Sequence, residues 1–368
     1  MTKAEYMRHV EEKLKNYDRD FVDEILENYE QHFEAGLKNG QTEEEICEEL
    51  GNIENLLGDI QEVLGDKDLK PHDLEKFTAI QEQKEQYNGI DVVDLSLFSI
   101  NVQMTHSQDG LLHVYMNGNK DKAKYLEESI SGNEYFAREK DKNHSKGLFG
   151  FWMSKGWDEE LTLVVEVPHQ LTKLSIKTMS GDVKVHGVEA KTWKLETMSG
   201  DASVHGMKSD DASIKTGSGE IEMHNFGVDN LAVHTASGDI HLLAGNAGEA
   251  QIISVSGDIH LKEVDTHIMK MKSTSGETGL QSSQFHNLNV NSVSGDVEGS
   301  FFAQNSYVQT VSGDIEIALE RRGKELCARS KTVSGSSTIY GNTKCDEPDA
   351  EHYLTGFFSS ISGDIEVR

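Results

Sequence analysis

The sequence predicts a mostly-β protein, a parallel β-solenoid (β-helix) of about ten 19-residue coils, preceded by a small all-α helical domain. Three observations carry this. A Ser-Gly-Asp tripeptide, or a close variant, recurs with its serines at Ser180, Ser199, Ser218, Ser237, Ser256, Ser275, Ser294, Ser312, Ser334 and Ser362. The first six intervals are 19 residues and the last three are 18, 22 and 28. A fixed period marks one structural unit stacked on itself. Second, apolar residues fall two apart on either side of the tripeptide, as in Ile176, Val183 and Val185, or Val233, Ile240 and Leu242. That alternation means strands with one buried face. Third, every unit carries a hydroxyl two residues before its serine, from Thr178, Thr197 and Thr216 to Thr332 and Ser360.

The elements follow in order. Residues 1–64 read as helical. Tyr6, Val10 and Leu14 form one i, i+4 stripe, and a longer stripe from Phe21 to Leu37 starts after Asp18 and stops near Gly40. Thr42 and Glu45 form a capping box, and Gly51 closes that short helix. A fourth stripe runs from Ile53 to Leu64. Residues 65–88, highly charged and holding Pro71, read as a linker. Residues 89–168 read as irregular first coils or a cap, because an end coil lacks one neighbour. Within them, 161–167 is a strand ended by Pro168. Residues 169–368 are the regular repeat, with insertions at 321–324 and 342–356. The chain stops in mid-strand at 365–368, so the last coil presents an open edge. That edge invites an end-to-end or edge-to-edge dimer unless the 342–356 loop covers it.

Each corner residue has an expected task. Gly181, Gly200, Gly219, Gly238, Gly257, Gly276, Gly295, Gly313, Gly335 and Gly363 supply positive φ for a sharp turn. The acids and serines cap local backbone groups. The hydroxyl column faces inward, and all its members find partners, since an orphaned buried hydroxyl costs roughly 1–3 kcal/mol.

Composition bounds the function. Formal charge is −29, and residues 1–90 hold 24 acidic against 10 basic side chains. Such a field repels phosphate backbones and argues against direct nucleic-acid binding. No apolar run reaches the roughly 18–20 residues of a membrane helix, and the charged N-terminus is not a signal peptide. Cys47, Cys327 and Cys345 have no metal or redox spacing, which predicts reduced thiols and a cytoplasmic location.

Two columns could carry chemistry. The corner acids, Asp239 and Asp258 among them, read as turn caps. Stacked about 4.8 Å apart they would also be the oxygen ligands a Ca²⁺ ion takes. His186, His205 and His224 share one repeat position, and His241 and His260 share another. They read as surface histidines, with Zn²⁺ or Cu²⁺ as the metal reading. The sequence has no nucleophile triad, CxxC, P-loop or GxGxxG, and predicts no catalytic residue and no bound cofactor. A column of equivalent acids also lacks the asymmetric pair a glycosidase needs.

The Thr-x-Ser-Gly-Asp-hydrophobic units at 178–183, 235–240 and 310–315, preceded by Val-Glu-Val-Pro at 165–168, resemble the bacterial β-strand-repeat family labelled "putative adhesin". Its function is largely undefined, with links to envelope-stress and regulatory gene neighbourhoods. Tyr29 to Phe33, Gly40, Thr42 to Ile46 and Glu49 to Gly51 resemble the HAAS helical signalling domain. That resemblance implies a protein partner such as a PadR-type regulator. Candidate partner contacts are Tyr29, His32 and Phe33, together with the aromatics Phe149, Trp152 and Trp157. The reading is a non-enzymatic scaffold or signalling protein. The alternatives are an exported adhesin or carbohydrate-binding solenoid, and a polysaccharide-acting enzyme.

Overall fold

The structure, a computed structural model, describes residues 2–14, 42–43, 85–118, 125–139, 161–168, 170–343 and 349–368. The chain divides into two compact units. In the first, the helix Lys3–Leu14 opens with a capping box. The Glu5 amide donates to Thr2 Oγ1, and the Thr2 amide donates to Glu5 Oε2 at 3.0 Å. Glu43 Oε2 accepts from the Lys3 amide at 2.9 Å, and Tyr6 is buried. The remaining helical stripes, residues 65–84 of the linker and all six candidate partner contacts (Tyr29, His32, Phe33, Phe149, Trp152, Trp157) lie outside the described residues, while the linker's last residues are corrected to a strand, Glu85–Tyr87, paired antiparallel with residues 112–114 of Leu112–Gly118. Among the described residues no helix is long and apolar enough to cross a membrane.

The second unit is a parallel β-solenoid. Each regular coil has a short strand just after the tripeptide, such as Val183–His186, and a long one, such as Glu189–Thr197. Short strands pair with short and long with long, one coil to the next: Val183 with Ala202, Ala202 with Ile221, Leu195 with Ile214. The predicted apolar columns point inward and are almost fully buried, from Ile176, Val183 and Val185 to Ile365 and Val367. From Ile240–Ser254 to Val297–Gln309 short and long strands run together as one strand, and after Gln309 they separate again.

Stacking does not follow sequence order at either end. Val92–Ser96 pairs directly with Gln170–Thr178, and Asn101–His106 with Val183–His186. The later strands Glu134–Glu139 and Leu161–Val167 lie outside that coil. At the other end, Tyr353–Ser362 pairs with Val297–Gln309 on one side and Glu325–Ser334 on the other. The C-terminal coil is therefore internal, and the edge coil is the earlier one, Glu325–Ser334 with Ser337–Ile339. The expectation of a last coil with an open edge at residues 365–368 is corrected accordingly. Ser330 and Ser337 stand in otherwise apolar columns because they belong to the end coil, where one side faces water.

Candidate functional site

The tripeptide locks one coil onto the next. From Ser180 to Ser256 the serine donates twice to a single carbonyl one coil below. The Ser199 amide and hydroxyl reach the Met179 oxygen at 2.9 and 3.2 Å, and those of Ser256 reach the Ala236 oxygen at 3.0 and 3.2 Å. The acid accepts from one coil above. Asp182 Oδ1 takes the Asp201 amide, Asp201 Oδ1 the Glu220 amide, Asp239 Oδ1 the Asp258 amide and Asp258 Oδ1 the Glu277 amide, at 2.8–3.0 Å. Asn101 opens this ladder, and Asp314, Asp364 and Ser336 continue it in spatial rather than sequence order. The Ser336 amide holds the Asp364 carboxyl below its ordinary value. Asp239 and Asp296 accept in the same way, but their own amides, above the longer Glu220 and Glu277, make no such bond to those side chains among the described residues. The expected local capping is thus replaced by capping between coils.

The corner glycines need correction too. Of the ten, Gly276 and Gly335 have φ in the left-handed half of the map, at 124° and 152°; the others do not. Their common requirement is space. A Cβ on Gly200 would lie 2.1 Å from the Gly181 carbonyl oxygen, and on Gly257 2.0 Å from that of Gly238. A Cβ on Gly181, Gly219, Gly238, Gly295 or Gly363 would come within 1.9–2.2 Å of the coil below, and one on Gly335, Gly313 or Gly276 within 2.3, 2.4 and 2.6 Å. Left-handed backbone belongs instead to a second corner that the sequence reading left undefined. It falls at Gly187, Gly206, Asn225, Ala244, Glu263 and Ser282, again 19 residues apart, with φ of 50–67°. The pairing of the next coil skips Ser282, and this deletion is what shortens that interval to 18.

The hydroxyl column is buried as expected but only partly satisfied. Thr178, Thr197, Thr216, Thr235 and Ser254 each accept from the amide of the glycine three residues on. Ser273 and Ser292 are buried with no partner. Ser273 belongs to the corner whose glycine, Gly276, departs to positive φ.

Two outward features remain available for binding. Immediately before the corner serines runs a column of exposed apolar side chains: Met179, Met198, Val255, Val293, Val311, Val333 and Ile361. Gly217, Ala236 and Thr274 fill its gaps. The acidic ladder lies three residues further along the chain. The second feature is the outer face of the short strands. It carries the histidines of both predicted ladders, with Glu222 between them. His205 and His224 stack with ring centroids 4.5 Å apart, His241 and His260 at 5.2 Å, and His186 stands 6.0 Å from His205. Glu222 Oε1 meets His224 Nε2 at 2.6 Å, and that contact holds its carboxyl below the ordinary value. Partial burial and then the neighbouring His224 push the His205 imidazole down. Among the described residues, donor atoms of His205, Glu222 and His224 come within 4.8 Å of one another. Asp239 and Asp258 belong instead to the backbone ladder. His267 and His286 make a further stacked pair, at 4.6 Å, that the sequence reading missed although their 19-residue spacing announced it.

The 321–324 insertion folds back onto the solenoid. Arg322 lies over the Phe302 ring, 4.4 Å from its centroid, and Lys324 Nζ donates to Gln304 Oε1 and to the Ala350 carbonyl. Nearby, Cys327 is disulfide-bonded. Its partner lies outside the described residues. The expectation of three reduced thiols fails here, because linear spacing does not report which cysteines meet after folding.

A parallel stack with backbone-locked corners and an exposed apolar edge defines a repeat protein of the solenoid class. Residues 90–267 and 213–367 match the family model described as Toastrack DUF4097, and the chain belongs to that family. Residues 5–56 match the HAAS family model. Among solved structures, the chain is similar to a "putative lipid binding protein" from Parabacteroides distasonis, at 10% identity and TM-score 0.38 over 77% of this chain and 96% of that one. It is also similar to a "putative adhesin" from Bacteroides fragilis, at 13% identity and TM-score 0.33 over 78% and 96%. A "putative adhesin" from Parabacteroides distasonis aligns at 17% identity and TM-score 0.42 over 64% and 96%. No curated protein sequence matches the chain.

Proposed function

We propose that this protein is a non-enzymatic binding scaffold. Its HAAS-like segment engages a signalling partner, and its solenoid presents an extended surface to a protein. The carrying observation is the exposed apolar column from Met179 to Ile361. Isolated exposed hydrophobics need no explanation, but large apolar side chains exposed at seven of the ten stacked corners support an interaction surface. The acidic ladder beside it and the formal charge of −29 fit a partner with an apolar strip flanked by basic groups. The engagement of the corner carboxylates with backbone amides supports a non-catalytic role for them. The HAAS match supports a regulatory partner, of which a PadR-type regulator or an envelope-stress component is the expected kind.

The test is co-purification with quantified partner recovery. The triple substitution Met198→Asp, Val255→Asp, Val293→Asp alters exposed side chains only. It is expected to abolish recovery by the solenoid while the circular dichroism spectrum is unchanged. Undiminished recovery sinks the reading. Removing residues 1–64 is expected to lose the regulatory partner separately.

A second reading, an exported binding protein, draws on the Cys327 disulfide, which fits an oxidising compartment better than a cytoplasm. Protease applied to intact cells separates the two locations. A protected protein with alkylatable Cys327 supports the cytoplasmic one, and a cleaved protein with blocked Cys327 supports export.

A further inference from the structure

We propose that His205, Glu222 and His224 bind a borderline divalent transition-metal ion of the Zn²⁺ class, clamping two adjacent coils on the outer face of the solenoid. His205 and His224 occupy directly paired positions on neighbouring short strands, so parallel register fixes their spacing. Glu222 lies two residues before His224 on the same strand and so faces the same side. The donor atoms of all three lie within 4.8 Å of one another.

Tetrahedral Zn²⁺ with bonds near 2.0–2.1 Å needs donors about 3.3 Å apart. The Glu222–His224 contact at 2.6 Å is a direct hydrogen bond, so the ion would take the place of its shared proton and the pair would open by about 0.7 Å. The two imidazoles stack almost parallel, at 7°, so their in-plane lone pairs lie side by side, and the rings turn out of the stack about their side-chain torsions to meet one ion. All three side chains are half-buried, which leaves room for that rotation and partly shields the ion. Two imidazoles and one carboxylate suit Zn²⁺, Cu²⁺ or Ni²⁺, whereas Ca²⁺ and Mg²⁺ need more oxygen ligands. One tetrahedral position stays open for solvent or an incoming donor. Glu220, whose Oε1 lies 3.3 Å from His241 Nε2, adds negative charge beside the site. The proposal is independent of the apolar column, so either can fail without the other.

The stacked pair His267 and His286 is the internal control. Its rings are as close, but no carboxylate converges with them among the described residues. The experiment uses the full chain, tag-free and stripped with chelator. ZnCl₂ titration is followed by calorimetry and thermal unfolding, with CaCl₂ as the hard-cation comparison and Co²⁺ absorption as the report of coordination. One Zn²⁺ per chain is expected, with a rise in Tm of about 3 °C or more at saturation, and no response to Ca²⁺. The isosteric Glu222→Gln is expected to weaken binding at least about tenfold, and His205→Gln/His224→Gln to abolish it. His267→Gln/His286→Gln is expected to leave affinity unchanged. Absence of saturable Zn²⁺ binding by the unmodified chain, equal affinity in the His205→Gln/His224→Gln variant, or loss on changing His267 and His286 overturns the proposal.

Discussion

A methyl group added to Gly219 would sit 2.0 Å from the carbonyl oxygen of Gly200. No rotamer change relieves that contact, because both sides are backbone. Gly219→Ala is therefore expected to cost at least about 3 kcal/mol or to prevent folding, as measured by urea unfolding. The second corner behaves oppositely. Glu263 is exposed and sits at φ 56°, a conformation that costs a non-glycine residue about 1–2 kcal/mol. Glu263→Gly is expected to raise stability by about 1 kcal/mol, less the added chain entropy of the unfolded state, and a lower Tm would refute the assignment. His234 supplies a pH dependence. Burial, and then nearby Lys215, hold its imidazole below the ordinary value of about 6.5. The unfolded chain then binds this proton more readily than the folded one. The folded state is favoured above about pH 6.5 and loses that advantage as pH falls toward the depressed folded value. Replacing His234 with Gln is expected to flatten that part of the stability–pH curve; an unchanged slope counts against it.

At the scale of elements, the first coil shows how an end is closed. Phe98, Ser99, Ile100 and Asn101 occupy the corner that Ser-Gly-Asp holds elsewhere, as the Phe98 carbonyl accepting from the Ser180 amide shows. Among the described residues no corner of the same kind takes their amides. Glu139 does so instead: its buried carboxylate accepts from the Phe98, Ser99 and Ile100 amides at 2.7, 2.9 and 3.3 Å, and from the Ser99 hydroxyl. Glu139→Ala would orphan these donors and is expected to cost about 3 kcal/mol, read from chemical denaturation. A cost under about 1 kcal/mol would show that solvent replaces the carboxylate. Part of the strand pattern around this coil was legible: residues 161–167 form the strand the alternation predicted, ending at Pro168. The role of Glu139 was not, because one acid in a charged chain has no signature until its three donors are assembled around it.

Across the whole molecule, stability is carried from coil to coil, so position in the stack matters more than position in the chain. The C-terminal coil at 353–367 holds the edge coil at 325–339 against the rest. A chain ending at residue 349 is expected to lose amide-exchange protection throughout 325–339 as well, while 183–280 stays protected. Protection surviving at 325–339 would mean that this coil docks elsewhere, contrary to the observed order. The exposed apolar column exists only at this scale too, since one Met or Val per coil is unremarkable until ten corners are stacked.

The sequence by itself determined the period, the inward columns, the two strands of each coil and the solenoid they build, because each is a local rule repeated until chance is excluded. It also placed the histidines in columns. Tertiary structure alone decided what the repeat is for. Glycine is required by the oxygen one coil below, serine and aspartate bond to neighbouring coils rather than to their own turn, and His205 meets Glu222 across a strand pair. Each of these is a contact between residues about 19 positions apart, whose distance is set by how tightly the coils stack. The order of the end coils was beyond the sequence for a related reason: a spare edge accepts any coil of matching register, and which one fills it is settled by packing.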